Sequence, residues 1–326
     1  MEGFEGKKVL VTGGAGSIGQ EIVRKLTLEG CTQIRVLDIN ETGLFELENA
    51  LKCDRLRMFI GDIRDKDRLS RAMEDVDIVF HAAALKHVPL CEYNPFEAAK
   101  TNVLGTQNAI ECALDNDIER FIMISTDKAV NPTNVMGATK LLAERLTLAG
   151  NLYKGNHRCR FSVVRFGNVL NSRGSLLTTL EKQIENGEPV TLTHQDMTRF
   201  IMTIEEAVGL VLSAGATSKG GETFILKMDA LRIADLIRVI AEDLGMKCGR
   251  SVEMKVIGIR PGEKLYEELL TEEEADLVED IGPMFVLRPG MKRDSDNGDV
   301  TYNSNDCRFM DDEEIRKKLR EIGYLE

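Results

Sequence analysis

Apolar positions along the first half of the chain fall into two alternating kinds of run. Lys8-Val9-Leu10-Val11-Thr12 is short, almost continuously apolar and ends in glycine, as a strand buried on both faces does. Ile18 to Leu28 then carries apolar residues at helical spacing and stops near Gly30. Strand patterns recur at Gln33 to Asp38, Arg57 to Ile60, Val76 to His81, Arg120 to Ser125 and Phe161 to Arg165, with helical stretches such as Glu41 to Leu51 between them. This alternation predicts an α/β fold, a Rossmann-type doubly wound parallel sheet with helices on both faces. After Gly167 the rhythm weakens. Loop signals surround one amphipathic stretch, Leu176 to Asn186, before a helix at Ile204 to Ala214 and a strand at Thr223 to Lys227 return to the first pattern. The reading is therefore discontinuous: residues 1–168 and 205–228 form the nucleotide-binding Rossmann domain, and 169–204 and 229–326 a smaller α/β substrate-binding domain. The tail, Met310 to Ile322, reads as a charged surface helix.

Composition narrows the function classes. A chain of 326 residues, 43% hydrophobic and 29% charged, buries a large core. A net charge of −12 argues against a nucleic-acid surface, which needs a basic face. Seven scattered cysteines (31, 53, 91, 112, 159, 248, 307) without a Cys-x-x-Cys pair predict reduced thiols and no zinc site. No basic-then-apolar leader precedes Lys7, and no apolar run approaches the ~18 residues of a membrane helix. The expectation is a soluble, cytoplasmic protein with no membrane segment and no metal.

The first strand runs into Thr12-Gly13-Gly14-Ala15-Gly16-Ser17-Ile18-Gly19. Gly13 suits a tight turn, Gly16 a close backbone approach to pyrophosphate, and Gly19 close packing of helix on strand, while Ser17 and Ile18 open a helix whose free amides attract phosphate. A glycine triplet alone is weak evidence. Here it follows a strand, opens a helix and is followed nineteen residues after Gly19 by Asp38, at the end of the next strand. A carboxylate there accepts ribose hydroxyls and repels a 2′-phosphate, so NAD is expected over NADP, although Arg35 lies near enough in sequence to meet a phosphate. Asp62 and Ile63, after the third strand, suit the adenine edge. A helix N-cap is an almost equal reading of Asp62.

The run Val135-Met136-Gly137-Ala138-Thr139-Lys140 follows this loop where a short-chain dehydrogenase would carry tyrosine four residues before its lysine. A thioether cannot transfer a proton. Upstream, Ser125-Thr126-Asp127-Lys128 places an acid beside a base. Either the chain only binds nucleotide, or its acid–base work has moved to Asp127 and Lys128. Relocation is favoured, because the rest of the site has not eroded.

Several runs together carry a resemblance: Ala84-Leu85-Lys86-His87-Val88-Pro89, Glu92-Tyr93-Asn94-Pro95, Ser125 through Asn134, Arg165-Phe166-Gly167-Asn168-Val169 and Arg260-Pro261-Gly262-Glu263-Lys264. They are similar to the nucleotide-sugar 4,6-dehydratases among the extended short-chain dehydrogenases, above all the UDP-N-acetylglucosamine 4,6-dehydratase and capsular-polysaccharide branch, in a methionine-for-tyrosine variant. The resemblance spans about residues 7 to 290. Many members of that branch carry a long membrane-anchored N-terminal extension, so this chain is expected to be the catalytic part alone.

The resemblance implies oxidation of a UDP-sugar at carbon 4, loss of water across carbons 5 and 6, and return of hydride to carbon 6. Asp127 is the implied acid, Lys128 the implied base and Lys140 the nicotinamide-ribose ligand. Thr126, Lys128 or water is left to relay the carbon 4 hydroxyl proton. Ala82, Ala83 and Asn102 fall at cofactor positions, and Asn168, Arg173, Ser175, Arg199, Arg260 and Glu263 at substrate positions. Arginine suits a diphosphate because its fork binds two oxygens. Lys86 and His87 face the sugar in this reading, with a structural role about as favoured for His87. A homo-oligomer is implied. A UDP-sugar 4-epimerase shares fold and cofactor but normally keeps the tyrosine. The methionine variant resembles the retaining branch more than the inverting one, and the residues leave the configuration at carbon 5 open.

Overall fold

The computed structural model describes residues 3–172, 174, 176–248, 252–275, 277–288, 290 and 302–325. Its strands are β1 (Lys8–Thr12), β2 (Gln33–Asp38), β3 (Leu56–Ile60), β4 (Ile78–His81), β5 (Arg120–Ile124), β6 (Arg160–Arg165), β7 (Asn168–Val169), β8 (Val190–Leu192), β9 (Thr198–Met202), β10 (Thr223–Leu226), β11 (Asp229–Arg232), β12 (Met254–Val256), β13 (Val278–Asp280) and β14 (Met284–Leu287). Nine of them form one sheet in the order β13-β14-β10-β6-β5-β4-β1-β2-β3. From β3 to β10 every pairing is parallel. The chain starts at β1 in the middle, builds outward to β3, then returns to β4 on the other side. That reversal opens a crevice at the carboxyl ends of β1 and β4, where α/β sheets bind ligands.

Both faces of the sheet are buried, as the continuous apolar strands require. One face packs Val9, Val11, Ile34, Ile78 and Ile122 under the helices Ser17–Leu26 and Ile204–Thr217. The other packs Leu10, Val79, Phe121 and Phe161 under Lys66–Met73, Gly105–Asp115 and Val135–Tyr153. A third apolar cluster runs from Leu170 through Leu180, Ile201 and Ile237 to Leu319, and builds the second lobe from two stretches of sequence. The tail helix, Asp312–Glu321, is partly a core element: Ile315 and Leu319 are buried while its outer face is charged.

One segment departs from the sequence reading. β14 pairs antiparallel with β10, and β13 with β14, so residues 278–287 extend the nucleotide sheet although they lie within the stretch expected to build the substrate lobe. A short hairpin far along the chain carries no local mark of which sheet edge will receive it.

Candidate active site

The dinucleotide loop is shaped by contact with the end of β4. Gly13 has φ of +68°, and a Cβ on it would lie 2.6 Å from the Ala83 backbone nitrogen, so both conformation and space demand glycine. Ala82 donates to the Thr12 carbonyl (3.1 Å) and Ala83 to the Thr12 hydroxyl (3.4 Å), holding the two strand ends together. Gly16 is the N-cap of the helix that Ser17 and Ile18 open and brings no side chain to its first turn, leaving that end to an anion. Asp38 accepts from the backbone of Ala15 and of Asn40, both at 2.9 Å, so its carboxylate also braces the loop. Arg35 donates to Gln33 and to the Ala72 carbonyl, away from Asp38. Asp62 binds Arg64 rather than a helix end, and the N-cap of the next helix is Asp65. Ile63 is buried against Gly105.

Beneath the loop lies a buried polar chain. His81 bonds Thr12 (2.8 Å) through Nδ1 and Thr106 (3.1 Å) through Nε2. Burial, helped by nearby Lys140, pushes the His81 pKa down to about 3, so the ring is neutral. Lys140 donates to the Ile124 carbonyl (2.6 Å), and burial lowers its pKa to about 8 against the upward pull of Glu144. Asn102, within a π-helical turn at Ala99–Leu104, grips both backbone groups of Leu85 and donates to Thr139, next to Lys140. Met136 is 3% exposed and packs with Cys91 and Ala98, an apolar plug in the tyrosine position.

Asp127 and Lys128 occupy a short 3₁₀ turn after β5, capped by the Thr126 hydroxyl. A Cβ at Gly137 would collide with the Lys128 carbonyl, so glycine lets the helix Val135–Tyr153 press on this turn. The Asp127 side chain is fully buried, accepting at Oδ1 from Thr126 (2.8 Å) and from Lys128 Nζ (2.9 Å). Lys128 Nζ also meets Asn168 Oδ1 at 3.2 Å and the Glu267 carboxylate at 3.3 Å. Burial alone would lower the Lys128 pKa, but Asp127 and Glu267 outweigh it and hold the ammonium above its ordinary range. Burial raises the Glu267 pKa, with Lys128 opposing and Asp127 adding to the rise.

Lys128 and Glu267 open on a cavity of about 210 Å³, which Asn168, Arg199, Arg260 and Glu263 also line. Asn168, Arg199, Arg260 and Glu263, expected at the substrate, thus meet around Lys128. Their tasks differ. Arg199 is buried and its fork donates to the carbonyls of Thr198, Lys264 and Leu265. Glu263 accepts from the Arg260 backbone (3.1 Å), closing the Arg-Pro-Gly-Glu turn. Asn134 donates to the Gly262 carbonyl (2.9 Å) and Lys264 to that of Val130 (2.8 Å), docking this turn on the loop that follows Asp127 and Lys128. Lys86 and His87 are exposed on the loop after β4, with the His87 ring against Gly174. Arg173 and Ser175 lie outside the described residues. Sequence reasoning missed Glu267. Its signal was faint: Leu265, Glu267 and Leu269 share one parity, which turns Glu267 inward between two apolar neighbours. Among the described residues there is no group of side chains fit to hold a metal and no helix long and apolar enough to cross a membrane. Six described cysteines are free.

Fold and site together define an extended short-chain dehydrogenase with Met136 in the tyrosine position. The chain belongs to the polysaccharide biosynthesis protein family, whose model matches residues 9–289. It is 63% identical over 325 residues to a protein of Methanocaldococcus jannaschii described as an uncharacterized membrane protein, covering 99% of this chain and 98% of that one. It is 41% identical over 304 residues to the UDP-N-acetylglucosamine 4,6-dehydratase (inverting) of Campylobacter jejuni, covering 92% and 88% of the two chains. The UDP-glucose 4-epimerase of Rickettsia canadensis is 34% identical over 339 residues, covering 99% and 98%. The solved structure of Pen from Bacillus thuringiensis superposes with a TM-score of 0.93 at 40% identity, covering 98% of each chain.

Proposed function

We propose that this chain is an NAD-dependent UDP-N-acetylglucosamine 4,6-dehydratase, a hydro-lyase that forms a UDP-4-keto-6-deoxy-N-acetylhexosamine for polysaccharide or glycan synthesis. One observation carries the reading: Lys128 lines the cavity with Asp127 buried behind it and bonded to its amine, while a buried thioether fills the tyrosine position. An epimerase has no use for that pair. The relative named as a dehydratase supports the same activity.

The residues of the glycine loop fit a dinucleotide, since the N-cap at Gly16 makes no side-chain cap bond and Asp38 stands at the ribose position. NAD bound there supplies hydride removal at sugar carbon 4 and hydride return at carbon 6. Lys140, charged below about pH 8, holds the nicotinamide ribose. Oxidation at carbon 4 acidifies the carbon 5 proton, which Lys128 removes. Asp127 donates the proton that lets the carbon 6 hydroxyl leave as water. Its route outward runs through Thr126 or Lys128, the two groups bonded to it. Proton transfer by such placed groups typically contributes ~10²–10⁴-fold each.

The test is NMR of the product from UDP-N-acetylglucosamine and NAD in deuterated water. A 4-keto-6-deoxy sugar with deuterium at carbon 5, formed without net NADH, is the expected outcome. Stoichiometric NADH, or recovery of the 4-epimer, refutes the reading. The same spectrum reads the configuration at carbon 5, for which Met136 and the inverting relative point in opposite directions.

A further inference from the structure

Without a tyrosine, this site must move four protons in each turnover. The carbon 4 hydroxyl and carbon 5 each release one; the departing water and, after hydride returns to carbon 6, carbon 5 each receive one. Lys128 lines the cavity, and if it serves both releases it cannot take the second proton while holding the first. It needs a sink.

Glu267 is placed to be that sink. It is 2% exposed but lines the cavity beside Lys128. Its Oε1 lies 3.3 Å from Lys128 Nζ, while its Oε2 is buried with no hydrogen-bond partner. Its backbone N–H and carbonyl are both bonded to Ser304, at 2.9 and 2.8 Å, which holds the main chain of Glu267 in place. Asp127 sits on the other side of the same amine; it accepts two hydrogen bonds at Oδ1, and its Oδ2, like Glu267 Oε2, is buried without a partner, but Glu267 lines the cavity and Asp127 does not. A buried carboxylate with an orphaned oxygen is costly, and taking a proton removes that charge. The charged groups facing Glu267 are three cations, Lys128 at 3.3 Å, Arg199 at 3.7 Å and Lys264, and one anion, Asp127.

We propose that Glu267 is the proton acceptor that empties Lys128 between its two deprotonations, the task Met136 leaves undone. This rests on the dehydratase reading. At rest the two carboxylates hold Lys128 charged; the cycle starts when its proton moves to Asp127 across 2.9 Å, which leaves Lys128 neutral, Asp127 protonated and Glu267 ionised. Lys128 takes the carbon 4 hydroxyl proton as hydride leaves that carbon, and passes it to Glu267. Neutral again, Lys128 takes the carbon 5 proton; the carbon 5–carbon 6 double bond forms, the carbon 6–oxygen bond breaks, and Asp127 supplies the proton that makes water. Hydride returns to carbon 6 and Lys128 gives its proton back to carbon 5. Glu267 then returns its proton to Asp127 through Lys128, across 3.3 and 2.9 Å, and the starting state is restored.

Glu267→Gln removes the sink while keeping the shape. With UDP-N-acetylglucosamine at saturation, turnover at neutral pH should fall roughly 10²–10⁴-fold. The loss should shrink by about tenfold per pH unit toward alkaline pH, because Lys128 must now lose its proton to solvent. The unmodified enzyme should show no such rise, and a fall common to both proteins above about pH 8 reports Lys140. Glu267→Ala should recover at least about tenfold with added formate, which restores a carboxylate in the vacated space. Calorimetric binding of UDP-N-acetylglucosamine to both variants confirms that they are folded. Wild-type turnover in Glu267→Gln, or an equal loss at every pH with no formate rescue of Glu267→Ala, overturns the proposal while the dehydratase reading stands. Failure of the unmodified enzyme to make a 4-keto-6-deoxy sugar sinks both.

Discussion

Arg165 lies outside the chemistry but joins the parts that carry it, and its removal has a calculable effect. The side chain is 3% exposed, and its guanidinium spans two carboxylates: Glu144 at 2.8 and 3.2 Å, and Glu274 at 2.8 and 3.2 Å. A fifth bond, at 3.0 Å, goes to the Leu269 carbonyl. Glu144 lies one helical turn beyond Lys140, and Leu269 two residues beyond Glu267, so Arg165 ties the Lys140 helix to the far wall of the cavity. Arg165→Met keeps the bulk and strands Glu144, whose side chain is 2% exposed. Leaving one partner of a buried pair uncompensated costs about 3–5 kcal/mol, a large share of the ~5–15 kcal/mol that stabilises a protein. The assay is urea denaturation, read as the shift in midpoint at constant slope. The pH dependence has a definite sign. Burial would raise the Glu274 pKa, but Arg165 outweighs it and holds the carboxyl below its ordinary range. That stabilisation is present above the unfolded value of about 4.3 and is lost as pH falls through the lower folded value. In Arg165→Met the buried carboxylates prefer the neutral form, so acid relieves the variant. The gap between the two proteins should therefore narrow from neutral pH toward about pH 5. A loss under about 1 kcal/mol, or a gap constant with pH, would refute the argument.

Lys128→Ala and Asp127→Asn should each lose ~10²–10⁴-fold in turnover while still binding UDP-N-acetylglucosamine in calorimetry, and Lys128→Ala should stop exchange of the carbon 5 proton with solvent. Met136→Leu, which keeps an apolar plug of similar volume, should stay near wild-type activity; its collapse without unfolding would show the roles are misplaced. Asp38→Ala should narrow a preference for NAD over NADP measured by calorimetry, because the carboxylate no longer repels a 2′-phosphate. Tighter binding of NADP to the unmodified protein would sink that assignment.

The sequence by itself determined what is local or periodic. Strand and helix periods marked the parallel sheet almost to the residue, as at Gln33–Asp38 and Glu41–Leu51, because a buried strand and an amphipathic helix must place apolar groups at fixed intervals. The glycine loop was readable because Gly13 meets a constraint of its own backbone. Met136 was informative because a substitution at a fixed spacing changes the available chemistry. Tertiary structure decided whatever depends on residues distant in the chain. Lys128 and Glu267 are 139 positions apart, and no local rule couples them before β5 and the Arg260–Glu267 segment dock. The same docking gave Arg199 and Glu263, which line the cavity, hydrogen bonds within its wall that no local pattern announced. It also sent the hairpin at 278–287 to the edge of the nucleotide sheet, where an unpaired β10 needed a partner. Side-chain type and spacing reach a few residues along the chain; electrostatic and hydrogen-bond partnership in a buried site is set by which segments the folded core brings within a few ångströms.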